Sequence, residues 1–186
     1  MKKFVLNALI ASAAMVPVLA QAQSAYVGAG ILVADYHVGG NFSYSHDSVR
    51  QADTGLKFYT GYNFNNKFGI EIGYSDLGQA GGPGNYFNIK PRPLYLAGTG
   101  TWQVSPRFAL TGKLGVASTR TKFSNQDGSI THTEHKTSLM AGFGTVFTIS
   151  KRVQGVVEFE HFGKVVDAGG GTVKVHSLST GVRFNF

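Results

Sequence analysis

The chain of 186 residues contains no cysteine. That absence removes disulfide scaffolds, cysteine-based zinc sites and thiol catalysis together. Charge is also scarce, with only 15% Asp, Glu, Lys and Arg. Mean hydropathy of −0.02 is too low for a bundle of membrane helices. After the first two dozen residues, nothing approaches the ~18 consecutive apolar residues a spanning helix needs. What is abundant is glycine, at 25 residues, with 14 Phe and 8 Tyr. Glycine plus aromatics, few charges and few strong helix formers point to strands.

Residues 1–22 have the three parts of a secretory signal. Lys2 and Lys3 give a positive start, Phe4 to Leu19 form an apolar run, and Ala20-Gln21-Ala22 is a small-x-small cleavage site. The expected division is a cleaved signal at 1–22 and one domain at 23–186, a length that suits a single core.

That domain alternates with period two. In the last segment Leu178, Thr180, Val182, Phe184 and Phe186 share one face, and Ser177, Ser179, Gly181, Arg183 and Asn185 share the other. Seven earlier segments repeat the pattern, among them Phe68-Ile70-Ile72-Tyr74 against Glu71-Gly73-Ser75 and Phe108-Leu110-Leu114-Val116 against Thr111-Lys113-Gly115. Each is near the ~9–11 residues that cross a bilayer at a tilt. The connections alternate in length. Asn65-Asn66-Lys67, Ser105-Pro106-Arg107 and Ser150-Lys151-Arg152 read as tight turns, and about 35–52, 77–92, 119–135 and 164–173 read as long polar loops. The expected fold is therefore all-β, an eight-stranded antiparallel up-and-down transmembrane β-barrel. Its short turns and both termini would lie in the periplasm and its long loops outside the cell. Closure satisfies every backbone group, as a sheet in lipid requires. A soluble eight-stranded barrel such as a lipocalin fits less well. Its outside would be polar, whereas the bulky face here is apolar and the small face carries Gly, Ser, Lys, Glu and Arg.

The end of the chain, Gly181-Val182-Arg183-Phe184-Asn185-Phe186, resembles the signal that outer-membrane barrels present to the bacterial barrel-assembly machinery, with Val182, Phe184 and Phe186 as its apolar positions. Phe108 to Val116 and Val156-Val157-Glu158-Phe159-Glu160 resemble strands of OmpA-like small outer-membrane barrels. The resemblance covers about 25–186 and ends at the eighth strand, so it implies a barrel without the peptidoglycan-binding domain. It implies an outer-membrane location but no particular activity, because one barrel hosts many functions.

Parity places Lys57, Lys113 and Arg183 in the lumen with Glu71, Glu158 and Glu160. Unpaired charges in so narrow a space cost several kcal/mol each, so the six are expected to pair. They either fill the barrel or gate a narrow channel when their ion pairs exchange. Other chemistry is thin. His132-Thr133-Glu134-His135 sits in or beside the third loop without a further ligand fixed by spacing, so no metal or other cofactor is expected. His46-Asp47-Ser48 is superficially similar to the His-x-Ser pair of lipid A deacylases, but it lies inside a long loop. His161 and His176-Ser177 lack that spacing. The basic balance does not point to nucleic acid once export and barrel patterning are granted. Lys90, Arg92, Arg120, Lys122, Lys136 and Lys164 lie in or near the outer loops, facing the anionic sugars of lipopolysaccharide. Trp102, Phe64, Phe184 and Phe186 suit an aromatic girdle. Tyr36, Phe42, Tyr44, Tyr86 and Phe87 in the loops either offer contact surface for a host or surface ligand or pack against one another. The expected role is non-enzymatic: envelope integrity with loops available for binding. The alternatives are a small-solute channel and, behind it, a lipid A-modifying enzyme.

Overall fold

The computed structural model describes residues 24–40, 51–81, 87–125, 130–168 and 171–186. The signal segment 1–22 and His46-Asp47-Ser48 lie outside these. Eight long strands close into a barrel: β1 Ser24–Gly40, β2 Gln51–Asn63, β3 Phe68–Asp76, β4 Phe87–Ser105, β5 Phe108–Asn125, β6 Ile130–Thr148, β7 Val153–Ala168 and β8 Gly171–Asn185. Every neighbour pair is antiparallel. β8 returns to β1, from Tyr26 opposite Asn185 to Gly40 opposite Gly171, and so no edge is left open. A two-residue ladder at Ala80–Gly81 pairs with the start of β4.

The period-two pattern becomes inside and outside as expected. In β3 every second residue is exposed, and Phe68, Ile70, Ile72 and Tyr74 all point outward. The outward set continues around the wall with Leu94, Leu96, Leu114, Val116, Leu139, Phe143, Leu178 and Val182. An apolar outer face on a closed barrel suits lipid as its solvent. The three tight turns form at one end. In the first, Asn65 Oδ1 accepts from the backbone N–H groups of Lys67 and Phe68, both at 2.8 Å. In the third, Ser150 Oγ accepts from Val153 N at 3.1 Å. Each polar side chain satisfies turn amides that no ladder reaches.

At the other end the expectation of long loops needs correction. Strands run through much of 35–52, 77–92, 119–135 and 164–173, because ladders such as Arg120 opposite His135 and Pro93 opposite Thr119 continue the wall beyond the apolar band. Thr119 and Thr121 point inward there and Arg120 outward, so the alternation persists after the hydrophobicity stops. Pro91 and Pro93 are tolerated in β4 because β3 has ended at Asp76 and asks for no N–H from them. The link across that gap is Leu77 N donating to Pro91 O at 3.3 Å. Gly78, at φ +81°, turns the chain after β3 so that Leu77 tucks into the lumen.

Candidate functional site: the barrel interior

The lumen is layered. Nearest the turn end stands Arg183. Above it lies an ionic layer, and above that an apolar one.

The ionic layer is built by four strands that each contribute inward residues at the same depth. Lys57 on β2 donates to Glu158 at 2.6 Å and Glu160 at 2.7 Å, both on β7. Lys113 on β5 donates to Glu71 on β3 at 2.6 Å and to Glu158 at 2.7 Å, with Glu160 at 3.7 Å. All five side chains are buried. Three tyrosines complete the layer. The hydroxyls of Tyr26 and Tyr95 donate to Glu71 at 2.9 and 2.7 Å. Both ammonium groups lie over the rings of Tyr59 and Tyr95, 5.1–5.9 Å from the centroids. With three carboxylates against two ammoniums, the layer carries one formal negative charge in excess. Among the described residues Glu160 Oε2 has no hydrogen-bond partner.

The tyrosines fit because glycine faces them across the ladder. Tyr26 lies opposite Gly61, Tyr59 opposite Gly28 and Tyr95 opposite Gly73. A Cβ on any of these glycines would collide with the facing ring. Glycine here makes room for an aromatic side chain to lie flat on the wall.

Of the six charges expected to share the lumen, the structure brings five together and sets Arg183 apart. Its guanidinium stacks on Tyr26 at 4.5 Å and donates through Nε and Nη2 to Gln154 Oε1, at 2.9 and 2.7 Å. Tyr26 is thus the partition, with its ring toward Arg183 and its hydroxyl on Glu71.

Beyond the ionic layer the expected polar interior gives way to an apolar one. Leu32, Tyr36, Leu77, Ala97, Ala117, Met140, Phe162 and Val175 form a buried cluster. Tyr36, assigned to a loop from its polar surroundings, lies in β1 and donates its hydroxyl to Leu77 O at 2.9 Å. Apart from Leu32, which the alternation placed inward, these residues escaped sequence reasoning because an apolar residue on the inward face breaks the apolar-out, polar-in pattern that was read. The parity of Leu32, Tyr36 and Val175 with the inward positions of their strands was the available signal.

The remaining candidates are dispersed. His132-Thr133-Glu134-His135 is on β6 rather than in a loop, and alternation separates Glu134 from the outward-facing His135. No group of three metal-ligating residues occurs among the described residues. His161 and His176 lie outward on β7 and β8, paired across the ladder and stacked at 4.5 Å. Lys136 falls on the inner face of β6, whereas Arg120 and Lys122 fall on the outer face of β5. They oppose Arg92 and Lys90 directly across β4–β5. Val182 and Phe184 are exposed on the outer face of β8, and Phe186, just beyond its end, is exposed as well.

A barrel closed with this topology recurs in solved structures. Neisserial surface protein A matches with a TM-score of 0.66 at 14% identity, over 89% of this chain and 100% of that one. OprG from Pseudomonas aeruginosa matches at 0.59 and 15%, over 89% and 97%. Ail of Yersinia pestis, solved in complex with the heparin analogue sucrose octasulfate, matches at 0.55 and 19%, over 88% and 100%. At these identities the likeness concerns the fold. No curated protein matches the sequence. The model of the OmpA-like transmembrane domain matches residues 20–186, nearly the whole chain. With the closed eight-stranded wall and its apolar outer face, that makes the protein a member of the OmpA-like family of outer-membrane β-barrels.

Proposed function

We propose that the protein is a plugged, non-enzymatic barrel. It would act in envelope integrity and present its far rim to anionic surface ligands. The observation that carries this reading is the double closure of the lumen, a buried ionic layer beneath a buried apolar one. An eight-stranded barrel leaves an interior that side chains can fill, and here they fill it twice over. In this reading the signal at 1–22 is removed during export, and the assembly machinery recognises Val182, Phe184 and Phe186. The tight-turn end then faces the periplasm. Lipopolysaccharide suits the outer rim because Lys90 opposes Lys122 and Arg92 opposes Arg120. Like charges set directly across a ladder destabilise it unless an anion lies between them. Asp76 supplies one such anion, 2.9 Å from Arg92. A polyanion like the heparin analogue bound to Ail would meet the same cations.

The test is single-channel recording of the refolded mature barrel in a planar bilayer, with a heat-modifiable gel shift to prove folding. A plugged barrel is silent, and Glu158→Ala leaves it so. The alternative, a narrow small-solute channel, draws on one observation: Lys113 stands within 3.7 Å of three carboxylates and can change partners without leaving the layer. Stable wild-type openings that change in Glu158→Ala would replace the plug with a gate.

A further inference from the structure

The tight-turn mouth holds a cup of about 520 Å³ lined by Asn63, Gln103, Lys151, Arg152, Gln154 and Arg183, among others. That volume falls in the range of small-molecule sites. The cup is blind, because Tyr26 and the ionic layer close its floor. We propose that it is a binding site for a sugar-sized anion, a sugar phosphate or a sugar acid, with Arg183 as the group that holds the charge.

The cations of the barrel are not partnered alike. Lys57 and Lys113 pair with carboxylates inside the barrel, and even the half-exposed Arg92 has Asp76. Arg183 is treated differently. Among the described residues no Asp or Glu side chain lines its cup, while Lys151 and Arg152 add two further positive charges at the lip. Its fixed partner is a neutral carboxamide. Gln154 Oε1 takes both guanidinium bonds and a third from Asn185 Nδ2 at 3.0 Å, the position where a carboxylate would be the better acceptor. The guanidinium is therefore held on the Tyr26 ring and by Gln154, with no carboxylate hydrogen-bonded to it among the described residues. Among the described hydrogen bonds none uses Nη1. A planar fork fixed in advance, with a free edge and no carboxylate bound to it directly, is the arrangement that recognises phosphate or carboxylate.

The rest of the lining sets the size and polarity of the ligand. Asn63, Asn66, Gln103, Gln154 and Asn185 supply carboxamides, and Ser24 and Thr101 supply hydroxyls. These both donate and accept, as a polyhydroxylated ring demands. Lys151 and Arg152 sit on an exposed turn, where their field draws an anion toward the mouth. Glucose 6-phosphate and glucuronate are the probes; glucose tests the charge and inorganic phosphate tests the sugar.

The experiment is calorimetric titration of the mature barrel folded in uncharged nanodiscs, which leave both ends open. The result is thus independent of which end faces the periplasm. Glucose 6-phosphate and glucuronate should bind, with glucose and inorganic phosphate at least about tenfold weaker. Arg183→Gln should abolish binding. Because that change removes a packed side chain, Gln154→Glu is the companion variant. It gives Arg183 the missing carboxylate from within the wall, so it should keep or raise the urea midpoint of the barrel while eliminating ligand binding. The proposal is overturned if neither anionic sugar binds, if Gln154→Glu folds and still binds them, or if inorganic phosphate binds as tightly as glucose 6-phosphate.

Discussion

Glu71→Gln removes the charge at the centre of the ionic layer while keeping its shape. Glu71 accepts from Lys113 at 2.6 Å, Tyr95 at 2.7 Å and Tyr26 at 2.9 Å, and it is buried. Breaking a buried, hydrogen-bonded ion pair costs about 3–5 kcal/mol. Lys113 keeps Glu158 at 2.7 Å, which puts the expected loss near the lower figure. The double variant Glu71→Gln/Lys113→Met deletes one charge of each sign and leaves the excess charge of the layer unchanged. It should therefore lose much less than the sum of the single variants, with a coupling energy of about 2–3 kcal/mol. The assay is urea-dependent folding into uncharged lipid vesicles. Trp102, the only tryptophan, serves as its probe because 75% of it is exposed on the lipid-facing wall. Asp76→Asn is the control, since it breaks a pair whose members are more than a third exposed and should cost under about 1 kcal/mol. If Glu71→Gln costs no more than Asp76→Asn, or if the double variant is additive, the layer does not hold the barrel together as argued.

The same assay separates the two kinds of glycine. Gly61→Ala, which drives a Cβ into the Tyr26 ring, should cost about 1–3 kcal/mol. Gly112→Ala, with nothing within 4 Å of the new atom, should cost nothing measurable or stabilise. Leu114→Arg should lose about 2–4 kcal/mol, because the side chain is 73% exposed toward lipid while Lys113, one residue earlier, is buried among carboxylates. At the rim opposite the tight turns, Lys90→Gln with Lys122→Gln should weaken lipopolysaccharide binding to the folded barrel and reduce its salt dependence, read by titration at two ionic strengths. Unchanged binding in that pair would remove these cations from the proposed surface.

How much was legible in the sequence follows from what alternation encodes. Period two assigns each residue to one of two faces, so a single apolar face against lipid fixed the inside and outside of all eight strands. The ionic layer followed from parity alone, since Lys57, Glu71, Lys113, Glu158 and Glu160 could only point inward. Alternation does not encode depth along the barrel axis. Arg183 shares the parity of Lys113, yet it sits near the tight-turn mouth, below the carboxylates, so its partners are Gln154 and Tyr26. The pattern also fails once neither face is lipid. Above the bilayer band both sides of the wall are polar or mixed, and stretches such as 119–125 read as loop although the ladder continues through them. Backbone hydrogen bonding sustains those strands, and it leaves no mark on side-chain composition. Tyr26, Tyr59 and Tyr95 show the remaining limit. Each is a large aromatic on the face that should hold small residues, tolerated because a glycine lies opposite on the next strand. The signal is a correlation between strands, which becomes visible only when register is known. The blind cup follows from the same depth information. Three cations and five carboxamides that are scattered in the sequence meet at one mouth only because the three tight turns and the Tyr26–Asn185 end of the β1–β8 ladder lie at the same height.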